Sequence, residues 1–111
     1  MRRLLSIAEL TPAEVARILA RARELTIVPP PDLSGRVCIY SFEGNSLRTR
    51  ATFLKAMAAL RVTPIELPNL LKTAEDKRHL AGYLDQWADL YVVRESNHEA
   101  LEAFASASGR P

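Results

Sequence analysis

A chain of 111 residues fits one domain and leaves no room for a second. An apolar fraction of 48% with 25% charged residues excludes long disorder. The 15 Lys and Arg exceed the 13 Asp and Glu by a net charge of only +2, and they are spread along the chain, so no nucleic-acid partner is expected.

The single cysteine, Cys38, cannot form an internal disulfide, and its apolar neighbours make it a small core residue. No apolar stretch approaches the length of a membrane span. The basic opening Met1-Arg2-Arg3-Leu4-Leu5 is followed by an apolar run that breaks at Glu9, too early for a signal peptide. No membrane association is expected, and a cytoplasmic protein is the default reading.

The first element is a helix. Thr11 can cap it, Pro12 suits its first position and Glu14 closes a capping box. Val15, Ile18, Leu19, Ala22 and Leu25 then recur at helical spacing, up to the stiff linker Pro29-Pro30-Pro31. After the turn at Asp32-Leu33-Ser34-Gly35, the run Arg36 to Phe42 is almost continuously apolar, as in a strand covered on both faces. Gly44-Asn45 breaks it. From Ser46 to about Leu60 the pattern is helical, with Phe53, Met57 and Leu60 on one face.

Val62 to Leu67 predicts a second strand, ended by Pro68, and Thr73-Ala74-Glu75-Asp76 a further helix start. Leu80, Tyr83, Leu84 and Trp87 form that helix's apolar stripe, and Tyr83 and Trp87 are expected in the core. Leu90-Tyr91-Val92-Val93 is a third strand. Asn97 caps a last helix, with Leu101, Phe104 and Ala105 inward and Gly109 as its stop.

This alternation predicts a three-layer α/β domain over residues 1–111: a short parallel sheet of three strands flanked by helices and preceded by an N-terminal helix. Ligands of such sheets bind at the carboxyl ends of the strands, which directs attention to loops 43–47, 68–73 and 94–97.

One of these loops carries an unusual charge pattern. Ser46-Leu47-Arg48-Thr49-Arg50 sits where the first strand gives way to a helix. A helix N-terminus offers free N–H groups and a partial positive charge to an anion, and Arg48 and Arg50 add guanidinium groups suited to phosphate or carboxylate. Two arginines in a first turn oppose the helix dipole, and a bound anion relieves that conflict. The plain alternative is a capping Ser46, a solvated Arg48 and an Arg50 paired with an acid such as Glu43. Neither G-x-x-x-x-G-K-[ST] nor G-x-G-x-x-G is present, so the anion is small.

The segment Phe42-Glu43-Gly44-Asn45-Ser46-Leu47-Arg48-Thr49-Arg50-Ala51-Thr52-Phe53 resembles the carbamoyl-phosphate signature of the aspartate/ornithine carbamoyltransferases, which centres on Ser-Thr-Arg-Thr-Arg. The opening Leu4 to Pro12 resembles that family's first helix entry. Leu90-Tyr91-Val92-Val93-Arg94 resembles its third strand with a closing arginine. The resemblance implies that Ser46, Leu47 as the position of the signature's first threonine, Arg48, Thr49 and Arg94 contact carbamoyl phosphate. It implies catalytic roles for Arg48 and Arg94 and a structural salt bridge for Arg50. The reaction it implies is attack of an amino group of ornithine or aspartate on the carbamoyl carbon with loss of phosphate, the protein supplying position and charge. The ornithine branch is the closer likeness. The family forms trimers in which a lysine from a neighbouring subunit's loop reaches the site; Lys72 is the candidate match here, and a surface lysine near a helix start is the plainer and slightly favoured reading.

Three departures stand out. Leu47 replaces a threonine, and one lost hydrogen bond to a charged group costs about 1.5–3 kcal/mol. Asn45 replaces the usual proline. Ser108-Gly109-Arg110-Pro111 resembles the segment before the family's fourth strand, so the amino-acid-binding half is absent and the chain is not expected to be active alone. A separate chain carrying that half is one expected partner. A competing reading is a non-catalytic or truncated paralogue kept for trimer assembly or partner binding, and a third is an unrelated α/β module for another small anion.

The remaining polar residues are read conservatively. His79 is solvated, and His98 falls in the last helix's first turn. Glu95 belongs to the rim of the site, because a carboxylate beside it would repel phosphate. Two histidines and one cysteine far apart make no metal set, and no cofactor is expected.

Overall fold

The computed structural model describes residues 3–111, so Met1 and Arg2 of the basic opening lie outside the described residues. The helix α1 spans Pro12–Glu24, followed by β1 (Val37–Phe42), α2 (Leu47–Leu60), β2 (Thr63–Glu66), α3 (Lys77–Leu84), β3 (Leu90–Arg94) and α4 (His98–Ala107). Short 3-10 turns occupy Ile7–Glu9 and Leu70–Lys72.

The three strands form one parallel sheet in the order β2-β1-β3. The central strand β1 holds Ile39 opposite Ile65 on one side and Tyr91 on the other. Because side chains alternate along a strand, its odd and even positions feed two separate cores. Ile39 joins Leu70, Leu71, Ala81, Leu84, Ala88 and Phe104 on the face covered by α3 and α4. Cys38, Tyr40 and Phe42 join Met57 and Val62 on the face covered by α2. This is the three-layer arrangement expected, with β1 covered on both faces and its residues from Cys38 to Phe42 all buried. The buried Ser41 is satisfied: its hydroxyl oxygen accepts the Leu70 N–H at 3.2 Å.

The capping box at α1 is present, with Glu14 N–H donating to Thr11 Oγ1 at 3.2 Å and Thr11 N–H to Glu14 Oε1 at 3.1 Å. Asn97 caps α4 by accepting the Ala100 N–H. The helix foreseen at Thr73 begins later, at Lys77, because Asp76 supplies the cap through Arg78 N–H at 2.8 Å. Its last turn shows a second difference. Tyr83 and Trp87 are 61% and 59% exposed, not core residues; their rings lean on each other, centroids 6.5 Å apart. Leu84 is inward as expected and Leu80 packs against the core, while Ala81 and Ala88 complete the inward stripe in place of the two rings.

The apolar stripe of α1 is likewise uncovered: none of its residues is buried, and Ile18 and Leu19 are more than half exposed. At the other end of the chain Asp85 gathers the terminus. Its carboxylate accepts from Tyr91 Oη and Ser108 Oγ, both at 2.8 Å, and from Gly109 N–H at 2.6 Å. Burial pushes that carboxyl up, and these donors outweigh it to leave it below its ordinary value. α4 ends at Ala107 with Ser108 as its C-cap, and Gly109 follows the cap.

Candidate functional site

The strand order reverses at β1, with β2 on one side and β3 on the other. The crevice outside the carboxyl ends of such neighbours is where α/β sheets take ligands. Two chain segments meet there: Ser46 to Thr49, after β1, and Arg94, the last residue of β3. Ser46, Leu47, Arg48, Thr49 and Arg94 together line one open hollow.

The turn into α2 is tight. Gly44 has φ +64° with open space where a Cβ would stand, so its requirement for glycine is conformational. Ser46 itself is left-handed at φ 43°, ψ 46°, a region that strains a residue with a Cβ and that clusters at functional sites. The geometry turns its hydroxyl away from the helix. Ser46 Oγ donates to Glu43 O at 2.5 Å and makes no side-chain cap. The helices α1, α3 and α4 each carry a side-chain cap, from Thr11, Asp76 and Asn97. α2 does not, and its first turn holds no acid, which leaves its N-terminal donors and partial positive charge facing the hollow.

Arg94 Nη1 donates to Thr49 Oγ1 at 3.1 Å and to Ser46 Oγ at 3.4 Å. Neither partner is an acid, so its charge is uncompensated by any of them. The Arg48 side chain makes no hydrogen bond or ion pair among the described residues; only its carbonyl is engaged, by the Thr52 hydroxyl at 2.7 Å. Leu47 is 74% exposed at the same rim. Two guanidinium groups, two hydroxyls and a helix N-terminus therefore converge without a counter-ion, an arrangement that suits a small oxyanion.

Arg50 faces elsewhere. It pairs with Glu66 at the end of β2, not with Glu43, donates to Asn45 O at 3.4 Å and lies over the Phe42 ring, 5.8 Å from its centroid. It braces the loop, and Asn45, standing where the signature has proline, contributes the carbonyl that receives it.

Lys72 lies on the 3-10 turn after β2. Its Nζ donates to Glu43 Oε2 at 3.0 Å and to Glu95 Oε1 at 3.1 Å of its own chain. Both contacts raise the lysine's pKa, Glu43 more strongly. Glu95 is no rim residue: its side chain is only 5% exposed, and it also accepts the Asn97 N–H. His98 begins α4 and pairs with Glu102 one turn on, at 3.2 Å.

Glu43 is the residue that sequence reasoning undervalued. The Ser96 N–H, followed by the Lys72 ammonium, holds its carboxyl far below the ordinary range, at about 2. A carboxylate depressed in the folded state stabilises the fold above its unfolded pKa and loses that contribution as pH falls towards the folded one. The thermal midpoint is therefore expected to fall as pH drops from about 4.5 to about 2, and a melt series by circular dichroism on the wild type and Glu43→Gln should show a shallower fall in the variant.

Comparison with known proteins identifies the family of the chain. Residues 2–111 match the family described as aspartate/ornithine carbamoyltransferase, carbamoyl-P binding domain. The ornithine carbamoyltransferase of Wolinella succinogenes is 29% identical over 119 aligned residues, covering 100% of this chain and 39% of that protein. The anabolic ornithine carbamoyltransferase of Campylobacter jejuni superposes with a TM-score of 0.90 at 27% identity, over 100% of this chain and 38% of that one. The catalytic subunit of M. jannaschii aspartate transcarbamoylase gives 0.82 at 26% identity, over 100% and 39%. The chain thus spans about two fifths of the length of these relatives. Among the described residues no helix is long and apolar enough to cross a membrane. With a family match over nearly its whole length and a superposition that includes every strand, the chain belongs to the carbamoyl-phosphate-binding domain family of the aspartate and ornithine carbamoyltransferases.

Proposed function

We propose that this chain holds carbamoyl phosphate for transfer of its carbamoyl group to the amino group of ornithine or aspartate. The observation that carries the reading is the pair of acid-free guanidinium groups, Arg94 bonded to Thr49 and Ser46 and Arg48 beside them in the same hollow. The phosphate sits against the N-terminus of α2, with the Thr49 hydroxyl and both arginines as donors, while Ser46 holds Arg94 through its hydroxyl oxygen. Arg94 reaches from β3 to the carbamoyl oxygen. As the amine attacks, charge builds on the departing phosphate, and these fixed donors stabilise it without reorganising.

The acceptor-binding half comes from outside these 111 residues, on the same polypeptide or on a separate chain, and the ornithine names of the curated relatives favour ornithine. The working assembly is a cytoplasmic homotrimer, with Lys72 standing at the place of the family's neighbour-subunit lysine. A second reading, a paralogue kept for assembly, draws support from the exposed Leu47 in place of a hydroxyl and from the engagement of Lys72 within its own chain.

Calorimetric titration of the chain with carbamoyl phosphate, against inorganic phosphate and sulfate, separates the two. Saturable binding that prefers carbamoyl phosphate supports the first reading. In that case Arg48→Ala should weaken binding at least about tenfold, since a charge-assisted hydrogen bond contributes about 1.5–3 kcal/mol. A folded chain that binds none of the three at millimolar ligand supports the assembly reading.

A further inference from the structure

Glu43 lines no part of the hollow, yet its N–H, its carbonyl and one carboxylate oxygen are engaged by Arg94, Ser46, Ser96 and Lys72. Its N–H donates to the carbonyl of Arg94 at 3.0 Å, which fixes the backbone from which that guanidinium projects. Its own carbonyl accepts the Ser46 hydroxyl at 2.5 Å, which fixes the oxygen facing Arg94. Its carboxylate Oε2 accepts the Ser96 N–H at 3.1 Å, the Ser96 hydroxyl at 2.9 Å and Lys72 Nζ at 3.0 Å. Through Lys72 the bracing continues to Glu95 at 3.1 Å. One residue at the end of β1 therefore ties together the loops that follow all three strands.

We infer that Glu43 is a positioning residue for the anion site: its carboxylate, clasped by Ser96 and Lys72, sets the spacing between the Ser46 hydroxyl and the Arg94 guanidinium. The inference rests on the reading that the hollow holds carbamoyl phosphate, and it adds a residue that does not touch the ligand. The carboxylate cannot serve as a ligand group, because its charge would repel a phosphate. It serves by anchoring the β3–α4 loop at Ser96, next to the second tie that Lys72 makes to Glu95 at 3.1 Å. It also keeps the Lys72 ammonium directed at acids of its own chain.

Glu43→Gln tests this, since the amide keeps the shape and one acceptor but loses the charge that engages Lys72. Ser96→Ala is the second variant; Ser96 is exposed, so loss of its hydroxyl leaves the core untouched. The 111-residue wild type and both variants are titrated with carbamoyl phosphate, with folding checked by circular dichroism. The Arg94 side-chain Nε–H signal is followed by nitrogen-15 NMR. In Glu43→Gln, affinity should fall about tenfold and the Arg94 signal should move in the ligand-free state. In Ser96→Ala, affinity should fall less, and the double variant should be no weaker than Glu43→Gln alone, as for two residues acting through one contact. Wild-type binding that persists unchanged in both variants, with Arg94 unmoved, overturns this inference and leaves the ligand reading intact. Binding that tightens in Glu43→Gln overturns it too, since the freed Lys72 would then be competing for the anion. Absence of binding by the folded wild type brings down the ligand reading and this inference with it. If Glu43→Gln fails to fold, Ser96→Ala decides, and unchanged affinity there overturns the proposal.

Discussion

Leu47→Thr should raise the affinity of this chain for carbamoyl phosphate by about tenfold to a hundredfold. The position is the first residue of α2 and lines the hollow beside Arg48. A hydroxyl there can donate to a phosphate oxygen, and a hydrogen bond to a charged group contributes about 1.5–3 kcal/mol. Little opposes the gain. The leucine is 74% exposed, so removing it sacrifices almost no apolar burial, and threonine is tolerated at a helix start where side-chain freedom is barely restricted. Titration at fixed ionic strength measures the change directly. An unchanged affinity would mean that a side chain at 47 does not reach the ligand. A gain that appears equally with sulfate would mean that the hydroxyl recognises any tetrahedral anion.

The second large effect concerns the fold. Phe104→Ala should destabilise the chain by about 3–5 kcal/mol, the range for emptying a buried aromatic site. Phe104 is 3% exposed and meets the Tyr91 ring edge-on, 5.1 Å between centroids at 89°. It is the largest side chain that α4 places against the β1 face carrying Ile39. Total stabilities of domains are only about 5–15 kcal/mol, so the variant should sit close to its unfolding transition. Urea titration followed by circular dichroism gives the midpoint. Phe104→Leu should lose far less, and equal loss in both would point to the Tyr91 ring contact and not to volume.

How legible these features were in the sequence depended on the range over which each interaction acts. The α1 cap is a matter of Thr11 and Glu14, three residues apart, and such local chemistry is written directly in the chain. The buried strand β1 was equally plain from its apolar run. Periodicity identified a stripe at Leu80, Tyr83, Leu84 and Trp87 but could not say which side of it the sheet would cover. The core took Leu84 together with Ala81 and Ala88, two small residues that bring this stretch close to the sheet, and left the rings outside. The site divided in the same way. Ser46 to Thr49 were visible as one basic helix start, whereas Arg94 joins them across 45 and 48 residues and was placed beside them by strand order and family likeness. The bonds from Glu43 to Ser96 span 53 residues. Only the position of an acid directly after β1, facing loops due to converge, could have signalled them.

The uncovered helix α1 bears on how the molecule opens. A segment that buries none of its residues is held chiefly by its own capping box and internal hydrogen bonds, and a helix of 13 residues is marginal on those terms alone. Its amide protons should exchange with solvent through fraying and local melting. Those of Cys38, Ile39 and Tyr40, locked between β2 and β3, should exchange only when the whole sheet comes apart. In this 111-residue chain the sheet and its helices would then be one cooperative unit, and α1 a separate, weaker one.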